Sequence, residues 1–474
     1  MSAPNELLYP LDATPGFSQS SFAAIAHVLA SFVGIITPTL IIGGVLGLGE
    51  HIPYLISMAL FVSGVGTLIQ AWRPLGIGAG MICVQGTSFA FLSSVLAAGF
   101  IAKAKGGGPE EILSLILGVC FFGAFVEIVL SQFLHRLKRI ITPLVTGIVI
   151  TIIGISLIKV GMTDLAGGVN APDFGSPANL ALGGVVLLCI IALNFCANPW
   201  LRLSSIVLGL LLGFVIAIFM GKVSFDGLAA LPLLSVPMPL RYGFSFDWSA
   251  FAPIAVIYLI TAIESTGDLT ANCIISQQPI RGDSYIKRIR GGVLADGFNS
   301  MLAALFNTFP NTTFSQNNGV IQLTGVASRH IGFYIAALLM LLGLFPIIGG
   351  ILQQIPKPVL GGATLVMFGT VAAAGVKILA NETLDRRKLL ILAVSFGLGL
   401  GVMTPDLLSQ MPKMVQSIFG SPITTGGLAA IVLSLLLPTT QAGESEITAT
   451  DAEDTATASR RLSENAGRSE SRLI

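Results

Sequence analysis

Charge is scarce in this chain. Only 10% of its residues are Asp, Glu, Lys or Arg, against roughly 25% in an ordinary soluble domain. With 53% hydrophobic residues spread over 474 positions, no single soluble core absorbs the apolar surface, so the sequence reads as an integral membrane protein. No basic block stands out and the net charge is +1, which argues against nucleic acid as a partner. The five cysteines, Cys83, Cys120, Cys189, Cys196 and Cys273, show no CxxC spacing and lie mostly within apolar runs. They read as small buried hydrophobes, which excludes a disulfide framework and a cysteine metal site. The histidines, His27, His51, His135 and His330, are scattered without ligand spacing, so the metal or nucleophile–base cluster of an intramembrane enzyme is not there. No ATP-binding motif is present, no cofactor is expected, and the N-terminus lacks the basic, apolar and cleavage regions of a signal peptide. Barrel-like alternation is also missing, which leaves helical spans.

A crossing helix needs about 20 apolar residues. On that measure, spans are expected near 21–43, 52–71, 75–99, 111–135, 140–161, 178–196, 203–221, 248–271, 288–306, 308–329, 330–352, 356–379, 387–403 and 420–437. That makes fourteen, an all-α integral membrane protein. The third and tenth are interrupted by glycine and polar residues, and neither is expected to be a continuous helix. With this register, only Lys103, Lys105, Lys222, Arg241, Lys357 and Lys413 fall on outer loops, and Lys159 sits at an edge. The remaining Lys and Arg, including Arg136, Lys138, Arg139 and the run Arg386-Arg387-Lys388, fall inside. Both termini are therefore expected in the cytoplasm.

The chain also repeats itself. "FAAIA" at 22–26 returns as "FAPIA" at 251–255, and "GTSFAF" at 86–91 returns as "NTTFSQ" at 311–316. Pro143, Gly147 and Gly154 recur with the same spacing as Pro358, Gly362 and Gly369. Seven spans separate the halves, so they enter the membrane from opposite sides. Such a 7+7 inverted repeat belongs to secondary transporters, and paired interrupted spans point to a site at mid-membrane. "TTFSQNNG" at 312–319 lies in one of the pair. Each of its amides costs several kcal/mol in hydrocarbon unless something bonds to it. Part of that demand is expected to be met by a ligand.

Ionisable residues inside spans are costly and usually functional. His27, Glu264, Asp268 and Asp296 stand out. Glu264 and Asp268 are four apart on one helical face and repel if both are ionised, which suits exchange of a proton. Phe89 and Phe314, at matching repeat positions, are candidates to stack on a planar ligand.

At this point the motifs become specific. "SQNNGVIQLTG", with Gln316, Asn317, Gly319, Thr324 and Gly325, resembles the signature of the nucleobase–ascorbate transporter family, or nucleobase:cation symporter 2. "IESTGDLTA", "GGVLADG" and "QGTSF" resemble its bacterial xanthine and uric acid permease branch, over residues 17–438. The resemblance implies that Glu264 and Gln316 grip the two polar edges of a purine; Phe89, Ala90, Phe314 and Ser315 are expected around it. It implies that Asn317 and His27 support the site and that Asp268 and Asp296 are linked to proton coupling. The uracil branch carries Glu at the Gln316 position, so Gln favours purines.

Xanthine permeases of this branch often read "QGTSFNF" where residues 85–91 read "QGTSFAF". Ala90 is smaller, which predicts room for the 8-oxo group of uric acid. The expected function is proton-coupled import of xanthine, uric acid or both across the inner membrane. A uracil or other nucleobase symporter, or an anion transporter of the same fold, is the alternative. The resemblance further implies a core domain of residues 17–135 (spans 1–4) and 226–353 (an outer loop and spans 8–11). A gate domain would comprise 136–225 (spans 5–7) and 354–438 (spans 12–14), and would form a homodimer. Residues 1–16 would be a cytoplasmic segment and the polar stretch 439–474 a disordered cytoplasmic tail.

Overall fold

The computed structural model describes residues 7–134, 142–169, 171–225, 228, 231–404 and 407–438. The expected tail from Thr439, and His135, Arg136, Lys138 and Arg139 of an expected inner loop, lie outside the described residues. The chain opens with α1 (Phe17–Leu46) and α2 (Ile52–Trp72), and each continues through its apolar run without a break. The next segment does break. A short strand β1 (Gln85–Thr87) leads through a 3-10 turn at Phe89–Phe91 into α3 (Leu92–Ala104). Then follow α4 (Pro109–Gln132), α5 (Pro143–Leu165), α6 (Pro177–Asn194), α7 (Pro199–Leu203) and α8 (Ser205–Phe219). Proline opens α4 to α7 at a position where no backbone donor is needed.

The second stretch starts with α9 (Trp248–Ile275) and α10 (Gly282–Leu305). A second break gives β2 (Asn311–Thr313) and the short α11 (Gln316–Thr324). The chain ends with α12 (His330–Gly343), α13 (Pro346–Gln353), α14 (Lys357–Ala380), α15 (Arg386–Gly401), α16 (Lys413–Phe419) and α17 (Pro422–Leu436). Among the described residues, α1, α2, α4, α5, α6, α9 and α14 are long and apolar enough to cross a membrane alone. Residues 330–352, expected as one span, form α12 and α13 bent by 74°. Pro346 opens the second piece, and Phe345 before it is extended, as a residue preceding proline prefers. By length and composition the crossings among the described residues number seven, or eight with the bent pair. The other expected spans are shorter helices, broken segments, or α10, whose hydropathy is lowered by residues such as Arg288, Arg290 and Asp296.

Small residues let the long helices touch backbone to backbone, the packing that membranes favour. A Cβ on Gly154 of α5 would lie 2.3 Å from the Ala372 nitrogen of α14, and one on Gly361 of α14 would lie 2.1 Å from the Leu165 nitrogen of α5. These contacts run in opposite directions along the two helices, so α5 and α14 are antiparallel. Similarly, Gly64 of α2 meets Ala336 and Met340 of α12, while Gly343 of α12 meets Ser57 and Phe61 of α2.

The two breaks meet in the middle of the fold. β1 and β2 pair antiparallel, with Gln85 opposite Thr313, Gly86 opposite Thr312 and Thr87 opposite Asn311. Extended backbone at this depth survives only because protein surrounds it, and all six paired residues are buried. At the far end of α11, Gly325 takes the left-handed conformation that closes the helix. There the N-terminal arm docks: the Tyr9 N–H donates to the Gly325 carbonyl (3.2 Å), and the Ala327 and Arg329 N–H groups donate to the Tyr9 and Leu11 carbonyls (both 2.9 Å).

Candidate functional site

The strand crossing turns the start of two helices toward one cavity. Residues Phe89 and Ala90 line it from the turn after β1, and Thr312 to Gln316 line it from β2 into α11. Helix starts present backbone N–H groups without intrahelical partners and a positive dipole end. Facing them across the cavity, α9 contributes Glu264 and Asp268. Apolar walls come from α5 through Ile150, Ile153 and Leu157, and from α14 through Met367 and Phe368. Thr370 of α14 adds a hydroxyl to this wall.

Glu264 is partly open to the cavity, and its Oε2 has no hydrogen-bond partner among the described residues. Gln316, the first residue of α11, is exposed. An unpaired carboxyl oxygen and an amide free to donate and accept are what a planar ligand with adjacent N–H and C=O groups requires. Phe314 is held in place: a Cβ on Gly86 would sit 2.3 Å from its Cζ, and one on Gly34 of α1 would sit 2.8 Å from its Cε2. Phe89 stands edge-on to Phe368, with ring centroids 5.1 Å apart. Ala90 is buried and Ser315 half-buried, both at the cavity wall.

The three neighbouring amides have three fates. Gln316 opens on the cavity. The Asn317 Nδ2 donates to the His27 Nδ1 at 3.0 Å and to the His27 carbonyl at 3.1 Å. Accepting at Nδ1 places the imidazole proton on Nε2. The Asn318 Nδ2 donates to the Asp268 carbonyl at 3.3 Å. Two amides thus staple α11 to α1 and α9, and the third faces the cavity. His27 and Asn317 stand behind the wall and do not line it.

Asp296 likewise does not line the cavity. It is fully buried and collects donors: Gln70 Nε2 and Gln85 Nε2 at 2.7 Å, Ser265 Oγ at 2.5 Å, and the Thr313 hydroxyl at 3.0 Å. The Thr313 N–H also points at it, at 3.3 Å. It ties α2, β1, α9 and β2 into one unit.

Several of these residues were not among those singled out from the sequence: Gln70, Gln85, Ser265, Thr313, Thr370 and the Gly34–Gly86 clamp. The repeat flagged the strand positions, but no local pattern distinguishes Gln70 or Ser265 from an ordinary buried polar residue. Glu127 was also missed, and the rule that picked out Glu264 would have found it, since it is an acid in the apolar run "FFGAFVEIVL".

A multi-pass helical membrane protein with a polar, partly aromatic cavity at crossed helix breaks is the architecture of a small-molecule transporter. Residues 18–408 match the family model described as "Permease family", and the chain belongs to that family, the nucleobase–ascorbate transporters. It is a transporter and not an enzyme. It is 47% identical over 442 residues to the xanthine permease XanP of Escherichia coli (strain K12), spanning 92% of this chain and 95% of that one. It is 44% identical over 441 residues to XanQ of the same strain (92% and 95%). With the xanthine permease of Bacillus subtilis (strain 168) it shares 36% over 425 residues (89% and 94%). Among solved structures, SLC26A9 resembles it in fold with a TM-score of 0.60 at 12% identity, covering 89% of this chain and 66% of that one. The transmembrane domain of the cyanobacterial bicarbonate transporter BicA does so with a TM-score of 0.50 at 13% identity (86% and 97%).

Proposed function

We propose that this protein is a proton-coupled symporter that imports oxopurines, xanthine and uric acid, by alternating access. The observation that carries this reading is the pairing of an unpartnered Glu264 oxygen with an exposed Gln316 amide at one cavity that Phe89 and Phe314 also line. The carboxyl accepts from ring N–H groups and the amide reads a neighbouring N–H and C=O edge. The relatives named xanthine permeases supply the substrate class. Asp268 shares the cavity wall with Glu264, so a proton arriving with substrate relieves repulsion between the two. Asp296, His27 and Asn317 hold the site from behind.

Residues 17–135 and 226–353 act as the core, and 136–225 and 354–438 as the gate, in a fourteen-span inverted repeat. The pairing of β1 with β2, and the packing of α5 against α14, where the repeat's proline and glycines recur, favour this division. The core moves against the gate to alternate access, and two copies associate through their gates. The protein resides in the inner membrane with both termini in the cytoplasm. A same-fold anion carrier is disfavoured because two carboxyl groups face the cavity.

The test is uptake of labelled xanthine in cells lacking their own purine carriers, with unlabelled uric acid as competitor, with and without a protonophore. Protonophore-sensitive accumulation blocked by both purines is expected. Accumulation insensitive to the protonophore removes the proton, and competition by uracil in place of uric acid moves the protein to the pyrimidine branch.

A further inference from the structure

Both oxygens of Asp296 are engaged by donors. The Gln70 Nε2 that donates to it also donates to the Gly292 carbonyl (3.0 Å), while the Gln70 Oε1 accepts from the Ala79 N–H (2.9 Å). That pair of bonds locks the amide with its nitrogen toward Asp296. The Gln85 nitrogen and the Thr313 N–H cannot accept a proton either. On Oδ1 an added proton would face two amide donors, and on Oδ2 it would find an acceptor only if the Ser265 or Thr313 hydroxyl gave up its own donation to Asp296.

A different acid lies beside it. Glu127 of α4 is 1% exposed and sits in a stretch where α4 packs closely on α10: a Cβ on Gly297 would lie 3.0 Å from the Ile128 nitrogen and 3.3 Å from the Ala124 carbonyl. Its Oε1 has no hydrogen-bond partner among the described residues. The titratable groups facing it are Asp296 of α10, Glu264 of α9 and the Tyr258 phenol of α9. The Tyr258 hydroxyl is engaged with the Cys120 carbonyl at 3.0 Å. On α3, the third helix packed on α4, Lys103 reaches away to the Leu46 carbonyl. On α10, Arg290 reaches the Gln132 amide oxygen and Arg288 the Gln278 amide oxygen, and among the described residues no donor engages the Glu127 Oε1.

We propose that Glu127 takes the coupling proton on from the Glu264–Asp268 pair and holds it behind the purine site, with Asp296 remaining an ionised scaffold between Glu127 and the strands. This rests on the proton-symport reading above. The proton comes from water on one side and is released to water on the other, and no bond of the purine is made or broken. Because Glu127 does not line the cavity, its neutralisation separates purine movement from proton movement.

The experiment uses the purified full chain in proteoliposomes, with two readouts. Counterflow exchanges labelled against unlabelled xanthine without a proton gradient, and accumulation is driven by an imposed pH gradient. For Glu127→Gln, counterflow is expected within about two-fold of wild type, while gradient-driven accumulation falls roughly ten-fold or more, within the span of ordinary coupling energies. Glu127→Asp, which keeps the acid, is expected to retain gradient-driven accumulation with a displaced pH profile. Glu127→Gln that accumulates like wild type overturns the proposal, as does an equal loss of both readouts in protein that melts like wild type.

Should Glu127→Gln fail to fold, infrared difference spectra of wild type and Glu127→Asp on xanthine addition decide. A protonated-carboxyl band that moves with the substitution supports the station, and identical spectra overturn it. If the wild type itself exchanges xanthine but never accumulates it against a pH gradient, the symport reading fails. That failure is distinct from a coupled wild type that ignores Glu127.

Discussion

Gln85 on β1 and Asp296 on α10 are joined by a 2.7 Å hydrogen bond across 211 residues of chain. The same Gln85 nitrogen reaches the Thr313 hydroxyl on β2 at 2.9 Å. The cavity is therefore built on one buried carboxyl group that holds both strands and, through them, both helix starts.

Replacing that carboxylate removes the common acceptor. Asp296→Asn puts an amide nitrogen against the donors of Gln70, Gln85 and Thr313, leaving buried groups unpaired. A cost of about 3 kcal/mol or more is expected. Thermal melting in detergent is expected to fall well below wild type, and xanthine uptake at matched membrane expression to drop to background. Wild-type melting would mean that the network is not holding the strands.

Phe314 is clamped by two glycines, so a methyl group at either should move it. Gly86→Ala places a Cβ 2.3 Å from the ring, and uptake should fall roughly 10- to 100-fold, as for other small misplacements of a binding group. Adding Phe314→Leu, which shortens the offending side chain, should restore part of the uptake. A lone Gly86→Ala with normal transport would show that the ring does not need its observed position.

Ala90 tests selectivity. Ala90→Asn fills cavity wall next to Phe89 and adds a polar group, so uric acid should lose affinity while xanthine keeps most of its own. A difference of roughly ten-fold is the size expected for a pocket change of this kind. Competition curves against labelled xanthine measure it, and equal loss for both purines would detach Ala90 from the 8-oxo group.

Asp247 caps α9 outside the membrane-spanning segment. The Lys105 ammonium bonded to it at 2.5 Å, then the Ser249 hydroxyl and the Ser249 and Ala250 N–H groups, hold its carboxyl well below the usual range. A depressed folded pKa contributes stability above the unfolded value and loses it as pH falls through the folded one. The window therefore opens below about pH 4, the ordinary aspartate value, and extends downward. Asp247→Asn should flatten the fall in melting temperature as pH drops below about 4. Asp247→Ala should cost about 1 kcal/mol at neutral pH through the lost cap. The Lys105 partner is 63% exposed, so Lys105→Ala alone should cost far less.

The N-terminal arm separates an exposed ion pair from a buried contact. Asp12 and Arg329 meet at 3.1 Å but are 74% and 42% exposed, so Asp12→Ala should change stability by less than about 1 kcal/mol. Leu11 is buried in a cluster with Ala79, Met81 and Ile289, and Leu11→Asp should cost roughly 3 kcal/mol and lower uptake. Equal effects of the two substitutions in a melting assay would show that the arm is not anchored by that cluster.

Much of this was legible in the sequence. The bilayer demands long apolar helices, so the runs of α1, α2, α4, α5 and α9 announce themselves locally. It also punishes polar backbone, so the glycine and amide residues of 75–99 and 308–329 mark where helix cannot continue. Glu264, Gln316, Phe89 and Phe314 could be named because acids, amides and a repeat in hydrocarbon are conspicuous without partners in view. The 74° bend between α12 and α13 was less visible, since its residues are apolar throughout.

What the tertiary structure alone decided is which polar group meets which. Asp296, as conspicuous as Glu264 in the sequence, turns away from the cavity because Gln70, Gln85, Ser265 and Thr313 converge on it from four other elements. Asn317 and Asn318 part from Gln316 because α1 and α9 pass within reach of their amides. Local pattern follows from the solvent that surrounds a segment. Hydrogen-bond partners more than two hundred residues apart follow from packing, and only the folded chain brings them together.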